Sequence, residues 1–269
     1  MDFCTQFRVP HGKPLSLADY DPEDTDGIGD KSIAKSLLEA DVKQLDKLQY
    51  LLYAENRRSL LIVLQGMDAA GKDGTIRHVM RGVNPQGTQV TSFKKPSAEE
   101  MDHDYLWRIH QAVPRRGNIG IFNRSHYEDV LVVRVHDLVP ESVWSKRYEQ
   151  INRFEHNLAE NDVIILKFFL HISKEQQKRR FQKRLEDPKR HWKISEADFA
   201  ERKYWPDYIE AFETALSRCS TEWAPWFVIP SDHKWFRNVA VSRIIVETLE
   251  GLDMQMPAPT VDISKIVLE

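Results

Sequence analysis

LLIVLQGMDAAGKDGT, residues 60–75, decides how the rest of the chain is read. Its opening run, 60–65, is apolar up to Gln65, the pattern of a parallel strand buried on both faces. The run leads into Gly66-x4-Gly71-Lys72. A glycine-rich turn between a strand and a helix aims several backbone N–H groups at one point. The helix dipole adds partial positive charge there, and Lys72 supplies a full one. Gly66, Ala69, Ala70, Gly71, Lys72, Asp73 and Gly74 are therefore the expected phosphate cradle. One position departs from the usual pattern: Asp73 stands where the motif carries the Ser or Thr that binds magnesium. Magnesium wants hard oxygen ligands and usually bridges phosphate oxygens, so carboxylates must replace the missing hydroxyl. Asp68, inside the loop, is the candidate to ligate the metal or to orient and deprotonate an acceptor. Asp73 has a simpler explanation, because an acid in a helix's first turn is favoured by the dipole alone.

Working outward, residues 31–56 show apolar positions at 33, 37, 38, 42, 45, 48, 51 and 52, steps of three and four that mark one buried helix face. Further strands are expected at 88–93, 118–123, 163–172 and 226–229. Helices are expected at 75–81, 98–113, 141–160, 174–186, 206–218 and 238–252. Strand–helix alternation at this spacing predicts an α/β fold of three layers, a parallel sheet with helices on both faces. Residues 1–30, rich in Asp, Pro and Gly, read as an extended arm. Residues 31–257 form the main domain, and 258–269 a surface tail.

Bulk properties narrow the function. The chain has 269 residues, 41% hydrophobic and 29% charged, with a formal net charge of −3. A general nucleic-acid binder would be strongly basic overall, so the balance argues against that class. Two cysteines, Cys4 and Cys219, give neither a disulfide framework nor zinc spacing. The N-terminal residues lack the apolar core of a secretory signal. The longest apolar run, 163–172, falls far short of the ~20 residues a membrane span needs. A cytoplasmic protein with no membrane partner is the expectation.

A second constellation follows the third expected strand: residues 118–135 read NIGIFNRSHYEDVLVVRV. In open α/β sheets ligands bind beyond the carboxyl ends of the strands, so Asn123, Arg124, Ser125, His126, Tyr127, Glu128 and Asp129 point at the edge that carries the phosphate loop. Arg124 is placed to neutralise charge on a transferring phosphoryl group. Glu128 and Asp129 are metal or acceptor-site candidates, Glu128 joining Asp68 as the expected metal pair. A surface loop whose acids cap a helix is the plainer alternative, strongest for Asp129. Phe93, Lys94, Arg124, Glu128 and Arg134 are the expected nucleotide contacts, Phe93 by stacking on a base. His126 can be an acid, a base or a packed core histidine. His103 and His110 share a helix face but lack a third metal ligand.

Residues 174–193, KEQQKRRFQKRLEDPKRHWK, hold nine Lys or Arg against three Asp or Glu. The excess of one sign leaves too few acids for alternating i,i+4 pairs. A cationic lid at about 174–205 that closes over a polyanion and shields it from water is the expectation, with Arg180, Lys183 and Arg184 touching phosphate.

Taken in order, GMDAAGKDGTIR, DYLWRIH, FNRSHYEDVLVVRV, ILKFFLHISKEQQ, RLEDPKRHWK and APWFVIPSDHKW resemble polyphosphate kinase family 2 over about residues 30–265. The resemblance implies a thymidylate-kinase-like P-loop fold with a helical lid. It also implies reversible phosphoryl transfer between inorganic polyphosphate and nucleotides, with Mg2+ or Mn2+. Asp68 and Lys72 match the family's essential loop residues, Arg124 the arginine after the second-motif strand, and residues 178–193 the lid. Members acting on nucleoside diphosphates often read FDRSWYNR where this chain reads FNRSHYED, so Asn123 replaces a motif aspartate and Glu128 an asparagine. This version resembles the third class of the family, which phosphorylates both AMP and ADP, giving ADP and ATP. Guanine nucleotides are further acceptor candidates, and a homo-oligomer is implied. The rival readings are an ATP-dependent nucleoside or nucleotide kinase on the same scaffold and a non-catalytic phosphate-polymer or RNA binding module.

Overall fold

A computed structural model describes residues 2–267. Met1 of the expected arm and residues 268–269 of the expected tail lie outside the described residues. Five strands, β1 (Ser59–Gln65), β2 (Thr88–Ser92), β3 (Ile119–Asn123), β4 (Val163–His171) and β5 (Trp226–Pro230), form one sheet in the order β2-β3-β1-β4-β5. Every pairing is parallel. Helices cover both faces, which is why β1 and β5 are buried at every position and read as near-continuous apolar runs.

The main helices are α1 (Lys31–Glu55), α2 (Lys72–Val79), α3 (Glu141–Glu160), α4 (Lys174–Leu185), α5 (Trp205–Cys219) and α6 (Lys234–Glu250). The Asp30 side chain caps α1 by accepting from Ser32 N at 2.8 Å, and Asn56 ends it in the left-handed region at φ 51°. Between these ends Ala34, Leu38, Val42, Leu45, Leu48 and Leu52 are buried, each large side chain contributing roughly 1.5–3 kcal/mol of burial. The face meets α6, where buried Asp41 accepts from Ser242 Oγ at 2.8 Å and pairs with Arg243 at 2.8 Å. None of the helices among the described residues is long and apolar enough to cross a membrane.

Three segments differ from the sequence expectation. The arm is not merely extended: Phe3–Gln6 is a helical turn, and Arg8 bridges antiparallel to Phe227. Val9 N donates to Trp226 O at 2.8 Å and Val228 N to Phe7 O at 3.0 Å, so the arm covers the free edge of β5. Its apolar residues Phe3, Phe7, Val9, Leu17 and Ile28 are buried, but they follow no period that a sequence could display. The helix expected over 98–113 is two pieces, Ala98–Met101 and Trp107–Ala112. Asp104 breaks it, its side chain accepting from Leu106 N at 2.9 Å, a local bond that competes with the helix ladder. The third is the stretch after β3, which begins as a 3-10 turn, His126–Val130.

The strand order places the site. β1 has β3 on one side and β4 on the other, so connections leave in opposite directions from its carboxyl end. A crevice opens at such a switch point, and the phosphate loop leaves β1 there.

Candidate active site

The loop backbone uses the freedom that its glycines supply. Gly66 has φ 151°, Ala69 63° and Gly71 112°, so the chain turns back on itself before α2 begins at Lys72. A Cβ on Gly71 would sit 1.8 Å from Arg237 Nη1, and Arg237 is 2% exposed and bonded to Ala70 O and Asn238 Oδ1, contacts that a retreat would break. Gly71→Ala is therefore expected to cost about 1–3 kcal/mol of stability and to raise the phosphate-donor KM at least tenfold, read by urea unfolding and steady-state kinetics. Unchanged donor KM would count against a tight loop.

Lys72 folds back over the loop, its Nζ donating to Gly66 O at 2.7 Å and Met67 O at 3.5 Å. Burial, with Arg124 close by, pulls its ammonium below the ordinary lysine range. Asp68 accepts from Arg124 Nη2 at 2.9 Å. Asp73 accepts from Asn123 Nδ2 at 2.8 Å and faces Lys193 Nζ at 3.6 Å. Burial would raise the Asp73 carboxyl, but these two donors and Lys72 hold it below the ordinary value. An aspartate at 123 would repel Asp73, whereas the asparagine present bonds to it.

Arg124 reaches Asp68 because of the sheet register. Leu64 of β1 lies opposite Asn123 of β3, so the two loops leave side by side, and Arg124 N donates to Leu64 O at 3.1 Å. Arg124 itself is left-handed at φ 62°, a conformation that sends the chain sharply away from the strand. Glu128 approaches its guanidinium from the other side, 3.7 Å from Nη1. Beneath this turn lies a buried network. Glu155 of α3 takes bonds from Tyr127 OH at 3.0 Å, His126 Nε2 at 3.1 Å and Lys167 Nζ of β4. Lys167 also donates to Tyr127 OH at 2.8 Å and Cys219 O at 2.7 Å. Residues His126, Tyr127, Glu155 and Lys167 are all essentially inaccessible. His126 is thus a core histidine. Asp129 is held by Arg147 at 2.9 Å, which removes it from the list of free site carboxylates; burial raises its carboxyl despite that partner.

The segment after β4 crosses the cleft as α4, a 3-10 turn at Pro188–Lys193, a helix at Glu196–Ala200 and a turn at Glu201–Tyr204. Lys183 and Arg184 line the cleft from it, and Arg184 pairs with Asp198 at 3.6 Å. Three residues here escaped the sequence reading. Asp198 lines the cleft, its carboxyl raised by burial and by the charge of Asp68. Gln177 of α4 donates to Asp68 O at 2.8 Å and accepts from Arg202, tying the segment to the loop. Trp192 is 78% exposed and lines the same cleft. Only its position between cations in KRHWK hinted at it.

Several expected contacts have other partners. Arg180, expected to meet phosphate, lines the cleft, where its Nη1 donates to Ala69 O and Ala70 O, each at 2.8 Å, and its Nη2 to Ser231 O and, at 3.1 Å, Asp232 O. It staples the phosphate loop in place. Arg134 lies away from the cleft, bonded to Thr214 Oγ1 at 2.9 Å and Glu210 and stacked on Trp144. Phe93 lines the cleft, but its ring packs edge-on against Phe122 at 4.9 Å with Arg108 at 5.5 Å, and at 6% exposure it offers little surface to stack on a base. Lys94 does line the cleft. His103 stacks on Trp107 at 4.0 Å, and His110 packs on Phe154.

No group of three or more His, Cys, Asp or Glu side chains that could hold a metal occurs among the described residues. Magnesium, however, is commonly bound by one or two carboxylates together with substrate phosphates. Asp68, a hard oxygen donor at the loop, fits an ion held in that shared way.

The cleft encloses about 1210 Å³, larger than most small-molecule pockets of ~300–1,000 Å³. Such a site can hold linked phosphates on backbone N–H groups, place cations where charge develops, and bring a carboxylate to the reacting end. It defines a phosphoryl-transfer enzyme of the P-loop kind. Residues 29–257 match the family model described as Polyphosphate kinase 2. An AMP/ADP-polyphosphate phosphotransferase of Meiothermus ruber is 53% identical, with 98% of this chain and 99% of the relative covered. An ADP-polyphosphate phosphotransferase of Rhodopseudomonas palustris is 47% identical over 95% of this chain and 92% of its own. The crystal structure of polyphosphate kinase 2 from Arthrobacter aurescens superposes with a TM-score of 0.94 at 44% identity, covering 98% of this chain and 94% of the other. The chain belongs to the polyphosphate kinase 2 family.

Proposed function

We propose that the protein transfers the terminal phosphoryl group of inorganic polyphosphate to AMP and to ADP, giving ADP and ATP, and runs the reaction in reverse. The observation that carries this reading is the Asp68–Arg124 pair at 2.9 Å, set on a phosphate loop within a cation-lined cleft. The relatives' names supply the donor and acceptors. An oxygen of the nucleotide's terminal phosphate attacks the end phosphorus of the chain in line. The new P–O bond forms as the bridging P–O bond breaks, and the polyphosphate leaves one unit shorter. One phosphoanhydride replaces another, so the exchange is near balance. Lys72 and Arg124 stabilise the charge spread over the transferring group. Asp68 would hold Mg2+ or Mn2+ jointly with substrate phosphates, and that ion would neutralise developing charge. Segment 174–205 acts as the lid, excluding water, and Trp192 offers an aromatic face for the base. Guanine nucleotides are further acceptors to compare, and a homo-oligomer is the assembly to test by light scattering.

The test is phosphorus NMR of AMP and polyphosphate with Mg2+ or Mn2+ present. ADP and ATP are expected. ATP consumption with a nucleoside or monophosphate acceptor and indifference to polyphosphate would instead establish an ATP-dependent kinase. Glu128, through its contact with Arg124, sets the acceptor position. Glu128→Asn is expected to lower kcat/KM for AMP about tenfold more than for ADP, a difference of ~1.4 kcal/mol. Equal losses on both acceptors would remove that role.

A further inference from the structure

Behind the turn that carries Arg124 and Glu128, and outside the cleft, three side chains meet that the mechanism does not use. Glu201 Oε2 accepts from Tyr208 OH at 2.8 Å and faces His136 Nε2 at 3.0 Å. Each comes from a different piece of chain. Glu201 opens the last turn of the lid, Glu201–Tyr204, and Tyr208 lies in the first turn of α5, into which the lid runs. His136 ends the short helix Val132–Val135, the direct continuation of the Arg124–Glu128 turn. None of the three lines the cleft.

The motion of a lid is taken up by a few residues at its ends, and here the far end is fastened twice. Arg202 donates to Lys174 O at 3.2 Å and to Gln177 Oε1, at the near end of the lid. Glu201, beside it, goes to the acceptor side. Arg134 strengthens that side, two residues before His136, by bonding to Thr214 Oγ1 at 2.9 Å and to Glu210, both of α5. The His136 ring packs edge-on against Tyr204, centres 4.8 Å apart. The Tyr208 phenol is raised above its ordinary range, by burial first and then by the bond to Glu201 and the charges of Glu201, Glu128 and Asp68. It therefore remains an O–H donor to the carboxylate. Such bracing has a use. Arg124 is left-handed at φ 62°, and a backbone in that region persists only where its surroundings over-determine it.

We propose that Glu201, held by Tyr208 and His136, is a positioning residue for the phosphoryl acceptor, fixing the far end of the lid to the turn that carries Arg124 and Glu128. Lid and acceptor groups then take up their working positions together. The proposal rests on the reading of Arg124 and Glu128 as acceptor-side groups given above. The phosphate loop and the near end of the lid are tied through Gln177 and Arg202 instead, so the Glu201 bonds act on the acceptor and leave donor binding alone.

The experiment compares Glu201→Ala with Glu201→Gln in the full chain. For Glu201→Ala the KM for AMP is expected to rise about tenfold, the worth of one charge-assisted hydrogen bond, while the KM for tripolyphosphate stays within twofold. Glu201→Gln keeps an oxygen for Tyr208 and should recover most of the loss. Trypsin should cut the alanine variant faster after Lys189, Arg190 or Lys193, all exposed on the lid. An AMP KM within twofold of the unmodified protein, a donor KM that rises as far, no recovery with glutamine, or an unchanged cleavage rate each overturns the proposal. Should the alanine variant lose its fold, Tyr208→Phe, which removes a single oxygen, repeats the test with the same expected split between the two KM values. Calorimetric titration with AMP alone separates this result from the functional reading. If the unmodified protein makes no ADP or ATP from polyphosphate, that reading fails. Weaker AMP binding by Glu201→Ala then still supports the positioning role, and equal binding overturns it.

Discussion

Lys72→Met is expected to lower kcat for ATP formation about a thousandfold, ~4 kcal/mol of transition-state stabilisation, while the protein stays folded. The ammonium lies 2.7 Å from Gly66 O and 3.5 Å from Met67 O, on a turn of the kind whose backbone N–H groups cradle phosphate. Burial makes its charge count for more there than in water. Methionine keeps the length of the stem but removes the charge, so circular dichroism and the melting temperature should change little. Lys72→Arg should rescue poorly, because a planar fork cannot fold over the loop as a point charge does. A pH profile gives an independent check. The folded lysine is held below the ordinary 10.5 by burial and Arg124, and the charged form is the active one. The rate should therefore fall, as pH rises, at a lower pH than an ordinary lysine would give. A Lys72→Met enzyme within tenfold of the unmodified rate would remove Lys72 from the mechanism.

The largest stability effect should come from a residue that no ligand touches. Lys167→Met leaves Glu155 charged and buried beneath the Arg124 turn, and breaking a buried pair in this way costs about 3–5 kcal/mol. For a chain of this size each kcal/mol moves Tm by ~2–4 °C, so a fall of roughly 10 °C is expected. Burial would raise the Glu155 carboxyl, yet Lys167 and the bond from His126 hold it below the ordinary value of 4.5. Its contribution is therefore present above the unfolded pKa and is lost as pH falls through the folded one. Without Lys167 the carboxyl pKa rises instead, so that contribution reverses. The gap between the two proteins should be widest near neutral pH and should narrow toward pH 4, read by urea unfolding at several pH values. Adding Glu155→Leu to Lys167→Met should recover much of the loss, since an apolar pair of similar volume leaves no charge unpaired. A gap independent of pH would mean that the pair is not ionised in the fold.

The loop, the parallel sheet and the cationic segment were legible because each is written in contiguous residues. A strand buried on both faces shows as an apolar run, and a phosphate turn shows as glycines with a lysine. The expected helix at 98–113 failed because Asp104 bonds to its own neighbours, a choice that helix periodicity does not register. Phe93 and Arg134 failed for a different reason. A phenylalanine beside two lysines reads as a base platform until Phe122 is found against its ring, and an arginine after the site strand reads as a contact until Glu210 and Thr214 claim it.

By itself, then, the sequence determined most of the elements, the placing of the phosphate loop at the carboxyl edge of the strands and the family-like chemistry, all of which depend on residue type at short spacing. Tertiary structure alone decided that Arg124 meets Asp68, that Arg180 and Arg237 grip the loop carbonyls, and that the arm seals β5. These contacts join residues far apart in the chain, and several end on backbone carbonyls. Every residue carries the same carbonyl, so no pattern of side chains can say in advance which one an arginine will find.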